Sequence, residues 1–385
     1  MAGLNGARAD VAEGSAAEPE TRARELRARI RERAAIRAGE SAQIPIATVS
    51  GIASTTAGMI AWFDRATPVT IITTKSFQLQ PNPGNGEPII TEAQPGCFGN
   101  AVGLRNPGIR TAVAQLAELR GKGGLSALLL VSLSGTTAED FAELARHAAP
   151  HADMVELNYS CPHATKGYGS DIGKDRDAIR DITAAVVEAI GEIPALVKLT
   201  PNVPDIAEMA EAAISGGAAG VSAINTVGPA RYRHPDANAQ ILTNPPDGRG
   251  GQSGEWVRET AAQAVRAIRS RIGSVPVLIA MGGVATPEDA GILWDAGADV
   301  VGVGSALARS HQRDWPGYLQ ALANGPARAA GRPPAPGSAH PLRAPAALRP
   351  VPSLRAAAGM ELRPHTVVAT REIGGDLFEL DVEPA

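Results

Sequence analysis

Cysteine is nearly missing from these 385 residues: Cys97 and Cys161 are the two present. That excludes a disulfide framework and any four-cysteine zinc or iron-sulfur site built within the chain, so no metal site is expected and a reducing cytoplasm is the natural setting. A broad basic field is missing too. The formal net charge of -4 and pI near 6.0 give phosphate backbones and anionic lipids nothing to be drawn to, so nucleic acid is not an expected partner. No run approaches the ~18 consecutive apolar residues of a membrane span. The first forty residues also lack the short apolar block of a secretion signal, and Glu20, Glu25 and Glu32 are foreign to an acid-poor organelle-targeting helix. A soluble, cytoplasmic protein is expected, with no membrane partner.

What is present is enough apolar material for one large core: 44% of the residues are hydrophobic, and a chain of this length can close a core of ~250 residues with extensions to spare. Residues 1–40 are rich in Ala, Arg and Glu, with both signs interleaved, which predicts a charged helical extension with a solvated surface. From Ile44 onward eight short runs recur: IPIATV from 44, VTIITT from 69, ALLLVSL from 127, MVELNYS from 154, ALVKLT from 195, GVSAINT from 220, PVLIAMGG from 276 and DVVGVGS from 299. They are apolar on both faces, as parallel strands sandwiched between helices and a packed interior must be.

Amphipathic segments lie between them. Ile206, Met209, Ala210, Ala213 and Ile214 fall at helical spacing before Gly216 and Gly217, and another segment starts at Thr286 with Pro287 at its first position. Eight such units predict an α/β fold, a (β/α)8 TIM barrel over residues 41–324; spacing alone leaves an open doubly wound sheet as the alternative. Residues 325–360, rich in Pro, Ala, Gly and Arg, read as a flexible linker, a Pro/Ala-rich C-terminal tail. Residues 361–385 alternate apolar and polar around Gly374 and Gly375, which predicts two strands of a hairpin, too little for a stable domain.

In such a barrel function sits at the carboxyl ends of the strands, where several polar residues coincide. Lys75 follows the second run, Asn158 and Cys161 end the fourth, Lys198 lies in the fifth, and Asn225 and Thr226 end the sixth. Gly282 and Gly283 end the seventh run; Gly304 and Ser305 end the eighth. Glycine turns on the last two strands let backbone N–H groups approach a phosphate, although each alone could serve only a tight turn. Lys75 and Lys198 would point into the mouth, where a buried ammonium needs acceptors; a flavin edge supplies them, and so would an internal carboxylate.

Asn100, Asn158 and Asn225 each pair a donor with an acceptor, as a pyrimidine or another cyclic imide requires, whereas any single one could be a turn former. Cys161, followed by Pro162 and the glycine-bearing stretch KGYGSDIG, is placed to act as a general base; the bland alternative is a small core residue, the reading given to Cys97. His163 could tune Cys161, contact a substrate or be inert.

These motifs resemble the dihydroorotate dehydrogenase family across residues 44–310. TTKSFQLQPNPGNGEP from 73 is similar to the family's flavin-lysine segment, GNAVGLRNPG from 99 to its substrate-asparagine loop, and ELNYSCP from 156 to its base-bearing strand; KLTPNVPDI, AINTVGP, GGQSG and AMGGVATPEDA follow in family order. The resemblance implies oxidation of dihydroorotate to orotate in pyrimidine biosynthesis with FMN as cofactor. Cys161 would take a proton from C5 while C6 gives a hydride to flavin N5, with Lys75 supporting the reduced flavin. It assigns Lys75, Asn100, Asn158, Asn225 and Thr226 to the substrate, with the backbone of Val102, Gly103 and Leu104 near its carboxylate. It assigns Ser50, Gly51, Lys75, Ser76, Asn158, Lys198, Gly254, Gly282, Gly283, Gly304 and Ser305 to FMN.

Cysteine at the base position is similar to the soluble class, whose partner is an iron-sulfur and FAD electron-transfer subunit; the tail from Leu362 resembles the first strands of that module, and a homo-oligomer is implied. SCPH and KLTPNV also resemble dihydropyrimidine dehydrogenase, which would act on uracil or thymine. Gln252 stands where an apolar residue is common, and His163 where asparagine is common. A flavin-binding barrel without catalysis, serving as an assembly partner, is the remaining alternative, against which the intact Lys75, Cys161 and asparagine set argues.

Overall fold

The eight apolar runs become eight parallel strands because each is buried along its whole length, which leaves a closed sheet covered by helices as the arrangement that satisfies both faces. The computed structural model describes residues 17–39, 43–52, 54, 56–159, 172–233, 239–242, 244, 248–326, 365–374 and 377–384. In chain order the strands are β1 (Ile46–Thr48), β2 (Ile71–Thr73), β3 (Ile90–Gln94), β4 (Cys97–Asn100), β5 (Leu128–Leu133), β6 (Met154–Asn158) and β7 (Ala195–Lys198). They continue as β8 (Gly220–Ala223), β9 (Val227–Arg231), β10 (Arg249–Gly254), β11 (Val277–Met281), β12 (Val300–Val303), β13 (His365–Gly374) and β14 (Leu377–Pro384). The barrel closes in the order β1-β12-β11-β8-β7-β6-β5-β2, a (β/α)8 TIM barrel whose strands are the eight runs read from the sequence.

The helices are α1 (Ala17–Ala38), α2 (Ala57–Ala66), α3 (Ile109–Gly121), α4 (Ala138–Ala148), α5 (Arg176–Ile190), α6 (Ile206–Ser215), α7 (Arg258–Ile272), α8 (Pro287–Asp295) and α9 (Trp315–Asn324). Their starts follow local chemistry. Thr137, Asp175 and Asp205 accept hydrogen bonds from the first-turn N–H groups of α4, α5 and α6, and Thr286 with Asp289 forms a capping box ahead of Pro287. Along α5, Ile179, Ile182, Val186 and Ile190 bury one stripe against the barrel. Among the described residues no helix is long and apolar enough to cross a membrane.

The solvated surface expected for the N-terminal helix is corrected by the structure. Ala23, Leu26 and Ile30 of α1 are buried among Met154, Leu196, Val277 and Val300, at the amino-terminal ends of the barrel strands. Burying a leucine and an isoleucine fully stabilises by roughly 1.5–3 kcal/mol each. Three arginines of the same helix are not free surface charges either. Arg27 donates to the carbonyls of Ser274 and Pro276 and to Asp299 (2.8 Å), Arg29 to Asp153 (2.8 Å), and Arg37 to Val69, Thr67 and Asp64. Burial pulls the Arg37 guanidinium below its ordinary pKa, with Asp64 opposing that shift. Charge composition hid this plug because three small or aliphatic residues carry the packing, while long arginine stems lie across apolar surface with their heads on strand-end carbonyls.

Four further strands were not foreseen. β3, β4, β10 and β9 form an antiparallel sheet in that order, with Cys97 opposite Gly254 and Asn100 opposite Gly251. Their sequences, CFGN and RGGQSG among them, lack the β-branched runs that mark strands. Gly99 is required here, since a Cβ would fall 2.3 Å from the ring of Tyr232. β13 and β14 pair antiparallel with each other as a separate two-stranded unit.

Candidate active site

Seven of the eight barrel strands, all but β5, contribute residues at or after their carboxyl ends to one cleft of about 250 Å³. Lys75 and Ser76 reach it from the segment after β2, Asn158 from the end of β6, Lys198 from the end of β7, and Asn225 and Thr226 from the segment after β8. Gly282 and Gly283 follow β11, Gly304 and Ser305 follow β12, and Ser50 and Gly51 follow β1. The antiparallel sheet supplies the facing wall through Phe98, Asn100, Gln252 and Gly254, and the segment after β4 adds Val102, Gly103 and Leu104. Every described residue that the sequence singled out for the site lines this one cleft. Cys161 and His163 lie outside the described residues.

The segment 101–104 has an unusual hydrogen-bond balance. Its four carbonyls are all engaged: Ala101 O accepts from Asn85 Nδ2 (2.7 Å), Val102 O from Asn85 N (3.1 Å), Gly103 O from Asn82 Nδ2 (3.2 Å) and Leu104 O from Asn106 Nδ2 (2.8 Å). Ala101 N donates to Ile89 O, whereas the N–H groups of Val102, Gly103 and Leu104 have no acceptor among the described residues. Gly103 and Leu104 both adopt left-handed backbone (φ 73° and 58°), the sole described non-glycine residue to do so being Leu104. Successive turns of this kind gather N–H groups into a concavity suited to an anion. Asn82, Asn85 and Asn106 were missed from sequence, where asparagine beside proline and glycine reads as turn chemistry.

Opposite that segment, Lys198 is 5% exposed, with its Nζ 2.9 Å from the Met281 thioether and 3.9 Å from Glu156 Oε2. A thioether is a weak acceptor, so an ammonium with three donors lines the cleft with donor capacity still to be met. Glu156, itself 1% exposed, also lines the cleft and accepts from Ser132 Oγ (2.9 Å) and Ser222 Oγ (2.6 Å). Sequence reading passed over it, although an acid inside the apolar run MVELN is a visible anomaly. Lys75 Nζ lies against the Gly51 backbone, where an added Cβ would sit 3.3 Å away.

Asn158 donates to Ser76 Oγ (2.9 Å), and Asn100 reaches the Gly251 carbonyl (3.4 Å). Asn225 accepts from Thr226 N (2.8 Å), and Asn202 ties Thr226 O to Gly228 N. Behind Asn158 the Tyr159 hydroxyl is pushed above its ordinary pKa by burial, which its contact with Thr183 only partly offsets. The cleft therefore offers amides for a polar planar ring, a backbone concavity for an anion and a buried cation beside them.

The family model described as dihydroorotate dehydrogenase matches residues 38–314. Among curated proteins, the chain is similar to the dihydroorotate dehydrogenase B (NAD(+)) catalytic subunit of Pyrococcus abyssi, 39% identical over 263 residues that cover 68% of this chain and 83% of the relative. The same-named subunit of Methanocaldococcus jannaschii is 37% identical over 239 residues, covering 61% and 74%. That of Latilactobacillus sakei is 36% identical over 234 residues, covering 60% and 73%.

Proposed function

The chain belongs to the dihydroorotate dehydrogenase family, and from that premise we propose that it oxidises dihydroorotate to orotate as the FMN-bearing catalytic subunit of a two-subunit enzyme. The observation that carries the reading is the trio of N–H groups at Val102, Gly103 and Leu104, which have no acceptor among the described residues and belong to residues lining the same cleft as Asn100, Asn158 and Asn225. The family's cofactor is a flavin. Its fit is supported by the Lys198 ammonium, whose nearest acceptor is a thioether, and by the glycine turns after β11 and β12. Lys198, Ser50, Ser76 and the backbone at Gly254, Gly282, Gly283, Gly304 and Ser305 are the residues that would hold FMN, the last four suited to its phosphate.

The chemistry such a group supplies is acceptance of the hydride that leaves C6 of the substrate. The chain's own residues do the rest. The amides of 102–104 bind the substrate carboxylate, and Asn100, Asn158, Asn225 and Thr226 hold the ring by its alternating donors and acceptors. Lys75 places positive charge at the ring edge where negative charge gathers, and Cys161 removes the proton from C5. The relatives' designation as catalytic subunits that use NAD(+) supports a partner that carries the electrons onward.

The test is anaerobic mixing of the purified yellow protein with dihydroorotate. Bleaching of the flavin band is the expected result, with dihydrouracil leaving it unchanged. Protein that is colourless and cannot be reconstituted with FMN, or a flavin that dihydroorotate does not bleach, would overturn the proposal.

A further inference from the structure

Beneath the cleft runs a continuous chain of buried polar contacts that links Ser50, Ser76 and Lys198 to three residues without a role in the reaction above, Ser132, Glu156 and Ser222. Ser50 Oγ lies 3.1 Å from Ser76 Oγ, Ser76 Oγ 2.9 Å from Ser132 Oγ, and Ser132 Oγ 2.9 Å from Glu156 Oε1. Glu156 Oε2 accepts from Ser222 Oγ at 2.6 Å and faces Lys198 Nζ at 3.9 Å. Ser76, Ser132, Glu156, Lys198 and Ser222 are all nine-tenths or more buried.

Strand register builds this chain. Ser132 sits opposite Glu156 across β5 and β6, and Lys198 opposite Ser222 across β7 and β8.

The direction of every hydrogen bond in the chain follows from its acidic end. A carboxylate only accepts, so Ser132 spends its single hydrogen on Glu156 and must accept from Ser76. Ser76 has then spent its own hydrogen, so it accepts from both Ser50 and Asn158 Nδ2. One carboxylate thereby fixes the amide orientation of Asn158 and leaves Ser50 presenting lone pairs to the cleft. It is also the sole described countercharge within 4 Å of Lys198.

We propose that Glu156 is a positioning residue that sets the reduction potential of the flavin by compensating the Lys198 charge and polarising the Ser50–Ser76–Ser132 chain. The proposal rests on the flavin reading above. Reduction adds negative charge to the ring, which an uncompensated lysine favours, so the carboxylate holds the potential lower than Lys198 alone would set it.

The test is spectroelectrochemical titration of FMN-loaded wild-type, Glu156→Gln, Glu156→Asp and Ser222→Ala proteins, with dissociation constants measured for oxidised and reduced FMN. Glu156→Gln is expected to move the midpoint positive, favouring the reduced over the oxidised cofactor by about tenfold, which is about 30 mV for a two-electron couple. Glu156→Asp keeps the charge and returns the midpoint close to the wild-type value. Ser222→Ala removes an O–H dipole whose positive end points at the carboxylate, and so moves the midpoint the other way by a smaller, few-fold ratio.

A structural role alone gives no such pair of opposite shifts. Unmoved midpoints in both Glu156→Gln and Ser222→Ala overturn the proposal while the flavin reading stands. If Glu156→Gln does not fold, an unmoved Ser222→Ala midpoint is sufficient to overturn it. Wild-type protein that binds no FMN overturns both.

Discussion

The two ends of the barrel are built from similar residue types and reach opposite hydrogen-bond balances. At the amino-terminal end, cations and carbonyls are matched: Arg27 and Arg269 converge on Asp299, Arg29 and Arg120 on Asp153, and Arg37 binds Asp64 together with two loop carbonyls. At the carboxyl-terminal end, three backbone N–H groups of the cleft wall have no acceptor among the described residues, and a buried ammonium there has a thioether as its nearest one. The closed end stabilises the barrel, whereas the open end holds capacity that a ligand completes. The same fold separates the two tasks because the amino ends of the strands meet the plug and the carboxyl ends meet loops.

If that division is correct, damage at one end should leave the other intact. The largest effect is expected from Leu26→Ala combined with Ile30→Ala, which empties the plug of its two largest buried side chains and costs about 4–8 kcal/mol of unfolding free energy, taking roughly 2–4 for each. Urea denaturation measures the loss, while turnover per folded, flavin-loaded molecule should stay near wild type. Turnover that collapses in proportion would mean the ends are coupled.

Cys161→Ala should give the reverse picture. Unfolding free energy and FMN content are retained, and the rate of anaerobic flavin reduction by dihydroorotate falls by about 10²–10⁴, the usual contribution of a general base. Stopped-flow absorbance reads it directly; an unchanged rate would remove the cysteine from the mechanism.

A smaller change is expected at the rim. Asn85→Ala frees the Ala101 carbonyl and loosens the segment that presents the three N–H groups, so KM for dihydroorotate should rise about tenfold with kcat little altered. A fall in kcat at constant KM would place the residue in the chemical step instead.

The mildest effect is a pH dependence. Burial pushes the hydroxyls of Tyr232 and Tyr318 up to about 12, with Asp289 adding to the effect at Tyr318. Their neutral forms are favoured in the folded state, so the contribution is complete below the ordinary tyrosine value near 10 and is lost as pH rises from there through about 12. Urea midpoints measured across that window should fall steadily, and Tyr318→Phe should flatten part of the slope.

The barrel strands were legible because a run buried on both faces, such as LLLVSL or VLIAM, has few other ways to be accommodated. The antiparallel sheet was not, since Gly250, Gly251 and Gly254 carry no side-chain signal and pair through backbone alone. Among site residues, the polar groups at strand ends announced themselves by interrupting apolar runs. Asn82, Asn85 and Asn106 did not, because Asn85 and Asn82 bind carbonyls 16 and 21 positions away, while Asn106 donates across a turn to Leu104 O and accepts from Gln78 N 28 positions away, which local composition does not record.

Sequence by itself determined which segments are barrel strands, which residues end them and that the amino-terminal segment is helical, because propensity, capping and burial on both faces are local properties. Only the tertiary structure decided that α1 closes the barrel, that three N–H groups of residues 101–104 find no acceptor among the described residues and that Glu156 stands at the head of a hydroxyl chain. Those facts depend on what stands opposite each group in space, and a hydrogen bond is decided by its partner's position as much as by its own residue type.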